Sequence, residues 1–240
     1  MSFLRLLQQF VFPHRCLSCL AYRAPDDFHP VCALCSPAVV EWPVESCTCC
    51  GCYLPMPEGS KCGPCLLRPG PIDHTQTAFL YGGAIRDALL NWKTRESGGW
   101  GTRELVALLE TDSGNFPSRE FEWWVPIPPS PRNQRHRNFD PTLTLSRLLA
   151  SAAAAPPVVD LLRETGTRTT TGKRRYALKR KGPLPKRILL LDDIRTTGNA
   201  ASSAAAVLKA CGVQRVGLWT YARASNGVLP EIAFQGTRRG

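Results

Sequence analysis

Acidic residues are scarce in this sequence: its 240 residues carry 19 Asp and Glu against 30 Lys and Arg, a formal net charge of +11 at pH 7. The shortage is local. Residues 173–187 hold eight Lys or Arg and no acid, and residues 132–187 hold fourteen against Asp140, Asp160 and Glu164, a local balance of +11. The remainder is neutral overall. Such a one-sided segment disfavours a cationic ligand and favours a polyanion or a phosphorylated small molecule. Long apolar runs are also missing, since none approaches the roughly 20 residues needed to cross a bilayer. The opening MSFLRLLQQFVFP is broken by Arg5, Gln8 and Gln9, and no small-residue cleavage site follows it. An export signal is therefore not expected, and the cytoplasm is the expected compartment. Histidine is sparse: His14, His29, His74 and His136 stand apart in sequence. They read as surface residues, the first two at most as spare zinc ligands.

Cysteine is what the chain has in excess. Ten of the eleven lie within residues 16–65. Cys16 and Cys19 form a C-x-x-C, and Cys32 and Cys35 form another after twelve intervening residues. The pattern recurs as Cys47 and Cys50, eleven residues, then Cys62 and Cys65. Two copies of this spacing predict a duplicated zinc ribbon holding one or two structural zinc ions. A tight turn aims both thiolates of a pair at one ion, and two such turns complete a tetrahedron. Gly51 and Gly63 admit those turns. In a reducing compartment metal binding is favoured over disulfides. Cys49 and Cys52 make a further C-x-x-C, so the third pair has two registers open to it, and crossed pairing of the four pairs is a second arrangement. Pro- and Gly-rich stretches leave the module little apolar core, so metal must supply much of its stability.

From about Thr75 onward, strand and helix patterns alternate. TAFLYGG, WWVPIP, KRILLLDDI and VQRVGLWTYAR read as strands. IRDALLNWK, GTRELVALLE, TLTLSRLLASAAA and SSAAAVLKACG read as helices, the last stopped by Gly212. Alternation of this kind predicts an α/β fold with a mostly parallel sheet, KRILLLDDI being a central strand covered on both faces. Expected boundaries are 12–68 for the double zinc ribbon, 75–224 for the α/β domain and 225–240 for a C-terminal tail.

In such a fold, ligands bind beyond the carboxyl ends of the strands. There the run LLLDDIRTTGNAA places Asp192 and Asp193 at a strand end, followed by Thr196, Thr197 and Gly198. A glycine turn entering a helix forms a cradle for phosphate, to which Thr hydroxyls add donors. Two carboxylates repel a phosphate but suit sugar hydroxyls, with a divalent metal nearby. Together these features describe a site for a ribose 5-phosphate. A simply capped helix start would use the same residue types.

L-L-L-D-D-I-R-T-T-G resembles the phosphoribosyl pyrophosphate motif of type I phosphoribosyltransferases. With the cysteine pairs and the segment VPIPPSPRNQRHRNFD, residues 12–224 are similar to the ComF family of competence and gluconate-utilisation proteins. Those proteins join a double zinc ribbon to a phosphoribosyltransferase domain. The resemblance implies that Asp192 and Asp193 hold the ribose hydroxyls at the catalytic centre, and that Thr196, Thr197, Gly198 and Asn199 bind the 5′-phosphate. It implies pyrophosphate contacts from Arg132, Arg135 and Arg137, and a mobile loop TRTTTGKRRYALKRK that closes with Lys173, Arg174 and Arg175. Magnesium would bridge the pyrophosphate and the ribose, and basic side chains would stabilise the departing charge. One departure is Arg137-Asn138-Phe139-Asp140-Pro141 where the family pattern runs R-G-F-N-Q. A carboxylate facing the pyrophosphate there is expected to weaken its binding.

The expected activity is transfer of a phosphoribosyl group to an acceptor, linked to DNA uptake in natural transformation. A second reading makes the chain a non-catalytic factor that grips single-stranded DNA. The basic 132–187 segment would serve it, with Trp92, Trp100, Trp123 and Trp124 stacking on bases unless they pack in the core. A third reading has the zinc module dock a protein partner such as a DNA-uptake helicase.

Overall fold

A computed structural model describes residues 14–24, 27–57, 59–94, 101–129, 139–168 and 174–225. Helix α1 (Gly63–Leu67) ends the cysteine-rich segment. After it come β1 (His74–Leu80), α2 (Gly83–Thr94), α3 (Thr102–Asp112), β2 (Trp123–Pro126) and α4 (Pro141–Ala153). The strands β3 (Leu162–Arg168) and β4 (Arg174–Leu178) form an antiparallel pair, followed by β5 (Arg187–Arg195), α5 (Asn199–Ala210) and β6 (Arg215–Arg223). The protein is thus α/β, with a four-stranded parallel sheet in the order β1-β6-β5-β2. Among the described residues no helix is long and apolar enough to cross a membrane.

Each helix buries the stripe its sequence dictates. In α2 the residues Ala84, Ile85, Ala88, Leu89 and Trp92 are buried, at the spacing of one helical face. Helix α4 starts where Asp140 accepts a hydrogen bond from the Leu143 N–H at 3.0 Å, with Pro141 as its first residue. Ala201, Ala204, Ala205 and Leu208 of α5 pack with Ile188, Leu190 and Leu218 on one face of the sheet, where the β3–β4 pair adds Leu162 and Tyr176. The other face carries α2, α3 and α4, with Leu189, Leu191 and Trp219 in the same cluster. Burial of Ile188 through Leu191 on both faces explains why that strand reads as an unbroken apolar run.

Two expectations change here. The basic stretch 167–181, read as a loop, instead holds the end of β3 and all of β4, while residues 169–173, including Lys173, lie outside the described residues. Trp92 and Trp124 are 1% and 0% exposed and offer no face to a base. Trp123 is half-buried with the Arg180 guanidinium 5.3 Å from its ring centre, and Trp100 lies outside the described residues.

The cysteine module is built onto this domain. The Trp42 N–H donates to the Ala78 carbonyl at 2.9 Å and the Leu80 N–H to the Val40 carbonyl at 2.8 Å. Residues 40–42 thus run along the free edge of β1, supplying partners its backbone would otherwise lack. The first ribbon contributes Cys16, Leu17 and Val31 to the same core as α2 and α3. Asn91 of α2 donates through Nδ2 to the carbonyls of Leu17 and Ser18 at 2.9 and 2.6 Å.

Candidate metal centres and phosphate loop

The two cysteine ribbons repeat each other in backbone detail. Arg15 bridges Tyr22 as Ser46 bridges Tyr53, and the Cys16 N–H donates to Ala21 as the Cys47 N–H donates to Cys52. Leu20, at φ 64°, takes the left-handed turn that Gly51 takes at φ 62°. In the first ribbon the Sγ atoms of Cys16, Cys19, Cys32 and Cys35 lie within 4.8 Å of one another. In the second, the corresponding quartet is Cys47, Cys50, Cys52 and Cys62. Sequence spacing assigned Cys65 to that quartet; the structure brings Cys52 in instead and leaves Cys65 beside Cys62 and Cys50. The pairing is therefore sequential within each ribbon, not crossed.

Four thiols at this separation suit a tetrahedral thiophilic ion, and both clusters are positioned to bind zinc. Burial opposes ionisation of Cys16 and Cys47, but backbone N–H donors outweigh it and bring the two thiols down to about 7 and about 6. Those donors include the Cys32 N–H on Cys16 Sγ and the Cys62 N–H on Cys47 Sγ, both at 3.3 Å. Each ribbon thus contains one thiol primed as a ligand anion. His29 is not a ligand: its ring bonds the Val31 carbonyl at 2.9 Å and Asp112 Oδ2 at 2.8 Å, tying the first ribbon to α3.

At the carboxyl end of β5 the two acidic residues part company. Asp192 is half-buried, and its Oδ1 accepts the Asp193 N–H at 3.0 Å. Asp193 is buried, and its Oδ2 lies 2.6 Å from Lys93 Nζ, each side chain being 12% exposed. Lys93 lies in the last turn of α2, beside Trp92, whose ring meets Phe139 edge-on at 6.2 Å. Asp140 follows, half-buried, its Oδ1 accepting the Leu143 N–H as the cap of α4. Burial and the nearby Asp160 and Asp193 carboxylates raise its pKa, against the Leu143 N–H and Lys179.

The Thr-Thr-Gly turn sits between β5 and α5. Thr196 and Thr197 are exposed, and Gly198 is the cap of α5 at φ 75° with no side-chain capping bond. Asn199 opens the helix, its N–H 3.4 Å from Thr197 Oγ1. A Cβ on Gly198 would lie 2.9 Å from both Nε and Nη2 of Arg195, so the guanidinium packs directly beneath the turn. Arg195 Nη1 donates to Thr75 Oγ1 at 3.2 Å, and Thr75 Oγ1 donates to the Cys49 carbonyl at 2.6 Å. The Thr75 N–H reaches the Thr48 carbonyl, and Arg223 Nη1 donates to the Cys50 carbonyl while its guanidinium lies 5.3 Å over the Trp42 ring. A continuous contact path therefore joins the turn to the second cysteine centre. Burial, then the neighbouring Arg223, lowers Arg195 to about 10, with Cys50, Asp192 and Cys65 opposing. Its Nε is buried without a partner.

Of the residues singled out from sequence, Asp192, Asp193, Thr196, Thr197, Gly198 and Asn199 converge at this sheet end. Arg175 is exposed on β4, and only the backbone of Arg174 is described. Arg132, Arg135 and Arg137 lie outside the described residues. Lys93, Thr75, Arg195 and Arg223 were missed. Each meets its partner across a long sequence separation, so no local spacing signals them.

Fold and centres define the class: an α/β protein with a four-stranded parallel sheet, edged by a cysteine-rich module with two sites positioned for zinc. Compared with models of known protein families and with curated proteins, the chain matches none.

Proposed function

We propose that the chain binds the phosphoribosyl group of phosphoribosyl pyrophosphate, with magnesium, at the carboxyl end of β5, and transfers it to an acceptor. The observation that carries this reading is the junction of β5 and α5. A half-buried Asp192 stands next to a turn whose exposed threonines and left-handed Gly198 lead into a twelve-residue helix. Helix N-termini favour phosphate because their amides and dipole point at the anion. In this reading Asp193 is held by Lys93, so the ribose hydroxyls fall to Asp192. Asp140, the carboxylate expected to weaken pyrophosphate binding, has its Oδ1 engaged in capping α4. The resemblance to phosphoribosyltransferases of the ComF type agrees with this reading and connects it with DNA uptake.

The test is thermal unfolding with phosphoribosyl pyrophosphate and magnesium. Ligand at a hundredfold its Kd stabilises by about 2.7 kcal/mol, a readily measured rise in Tm. The rise should vanish in Asp192→Asn while the unliganded Tm stays put. No rise at millimolar ligand in the wild type would defeat the reading.

One observation favours a second reading, in which single-stranded DNA is gripped without catalysis. Arg175, Lys181 and Lys186 are exposed together on β4 and its connection to β5. DNA binding that weakens steeply with salt and survives Asp192→Asn would support it.

A further inference from the structure

The second ribbon holds two thiols more than the first, Cys49 and Cys52; Cys49 lies outside the quartet, its Sγ donating to the Asp73 carbonyl at 3.7 Å, which leaves Cys52 as the spare. Position 21, where the first ribbon has Ala, corresponds to Cys52, as the matching Cys16-to-Ala21 and Cys47-to-Cys52 hydrogen bonds show. By the same correspondence Cys35, which completes the first quartet, matches Cys65. Yet the quartet drawn together in the second ribbon contains Cys52 and not Cys65. Cys65 still lies near enough to Cys62 and Cys50 to interact with both, and Cys52 interacts with those same two thiols. Cys50 and Cys62 are 3.6 Å apart and Cys47 accepts the Cys62 N–H, so these three form a common base. Cys52 and Cys65 both reach toward it.

We propose that the second centre is a five-thiol metal site, in which Cys47, Cys50 and Cys62 are fixed ligands and Cys52 and Cys65 are interchangeable fourth ligands. A zinc ion takes four thiolates in a closed tetrahedron, so one of the two is left over at any moment. Exchange is balanced within the site: the Cys52 sulfur–metal bond forms as the Cys65 sulfur–metal bond breaks. The proton released by the arriving thiol is taken up by the departing one. The first ribbon has no such spare and holds its ion statically. The second can accept an incoming ligand without losing coordination number, which makes it the exchangeable centre. Both contested thiols are half-exposed, so the spare one is open to alkylation.

The experiment uses the full zinc-loaded chain and its Cys52→Ser, Cys65→Ser and double variants. Native mass spectrometry counts metal ions, and N-ethylmaleimide followed by peptide mapping reports free thiols. Each single variant should keep both ions, and the double variant should lose one. In wild-type protein, single molecules should carry the label on Cys52 or on Cys65 but not on both. Exposed Cys211 serves as the labelled control. Retention of the first ion shows that a variant has folded, and the wild-type labelling stands whether or not the variants fold. If one single variant loses an ion while the other keeps both, the site has a fixed fourth ligand and the proposal fails. Loss in both singles, or retention in the double, overturns it equally, as does labelling confined to one of the two cysteines.

Discussion

Replacing Gly198 with Ala tests the packing of the Thr-Thr-Gly turn on Arg195. Two costs add. At φ 75° an Ala side chain sits in the left-handed region, at roughly 1–2 kcal/mol. The new Cβ would also fall 2.9 Å from Nε and Nη2 of Arg195, closer than such contacts permit, so the guanidinium must move. Arg195 is 7% exposed, and its bond to Thr75 Oγ1 is charge-assisted. Losing that bond costs about 1.5–3 kcal/mol. The sum, about 2.5–5 kcal/mol, is a large part of the stability of an ordinary domain. Urea unfolding of Gly198→Ala should show a midpoint lowered accordingly with an unchanged slope. In an Arg195→Met background, which removes the charged planar group, the same substitution should cost only the backbone share, about 1–2 kcal/mol. Equal costs in the two backgrounds would refute the reasoning, because the turn would then not rest on the guanidinium.

Lys93→Met leaves the Asp193 carboxylate, 12% exposed, without its cation, and should destabilise by about 3 kcal/mol in urea unfolding. Adding Asp193→Asn should restore most of that, and a double variant as unstable as Lys93→Met would contradict the pairing. For His29, burial lowers the pKa, but the Val31 carbonyl and Asp112 outweigh it and raise the value above 6.5. The pair therefore stabilises fully below pH 6.5 and loses its contribution as pH rises through the folded value. Asp112→Asn should cost about 0.5–1 kcal/mol at pH 6, discounted for partial exposure, and much less at pH 9; a pH-independent cost speaks against it. Chelating the metals should speed hydrogen exchange at the Trp42 and Leu80 amides, which bond across the β1 edge. Unchanged exchange there after full metal loss would mean that the edge contact is independent of the metal.

What was legible in sequence is what local pattern encodes. The buried run Ile188–Leu191 could only be a strand covered on both faces, and the stripe from Ala84 to Trp92 only a helix lying on a sheet. The Thr-Thr-Gly turn was visible because it needs a particular residue at one φ. The β3–β4 pair was not visible, since TRTTTGKRRYALKRK lacks the apolar alternation of a half-buried strand; of its described side chains only Tyr176 is buried. Lys93 looked like an ordinary basic residue in the last turn of a helix, yet it meets a carboxylate a hundred positions away. Cys52 was read as a register ambiguity because spacing cannot distinguish a thiol that follows a knuckle from one that belongs to it. Asp140 looked like a poor anion ligand because its identity is local, whereas its direction is set by the helix it caps.

The position of the second ribbon bears on why a zinc module and this sheet share one chain. A parallel sheet leaves the outer edge of β1 open, and residues 40–42 cover it. The same β1 carries, as its second residue, Thr75, whose hydroxyl links the knuckle at Cys49 to Arg195 under the turn. Thr75 also contacts Gly51: a Cβ there would lie 2.8 Å from Thr75 Cγ2. A side chain at Gly51 would thus push on the first residue of the path that ends at Gly198. Two buried guanidinium groups, Arg195 and Arg223, lie along this path, and like charges in a low-dielectric setting need a counter-charge. A zinc ion held by four thiolates carries a net charge of −2, and thiols of the second ribbon (Cys50, Cys52, Cys47 and Cys62) act electrostatically on Arg223. Loading the ribbon would therefore supply charge opposite to the two arginines buried beneath the Thr-Thr-Gly turn. That accounts for a metal centre placed against the sheet edge instead of on a tether.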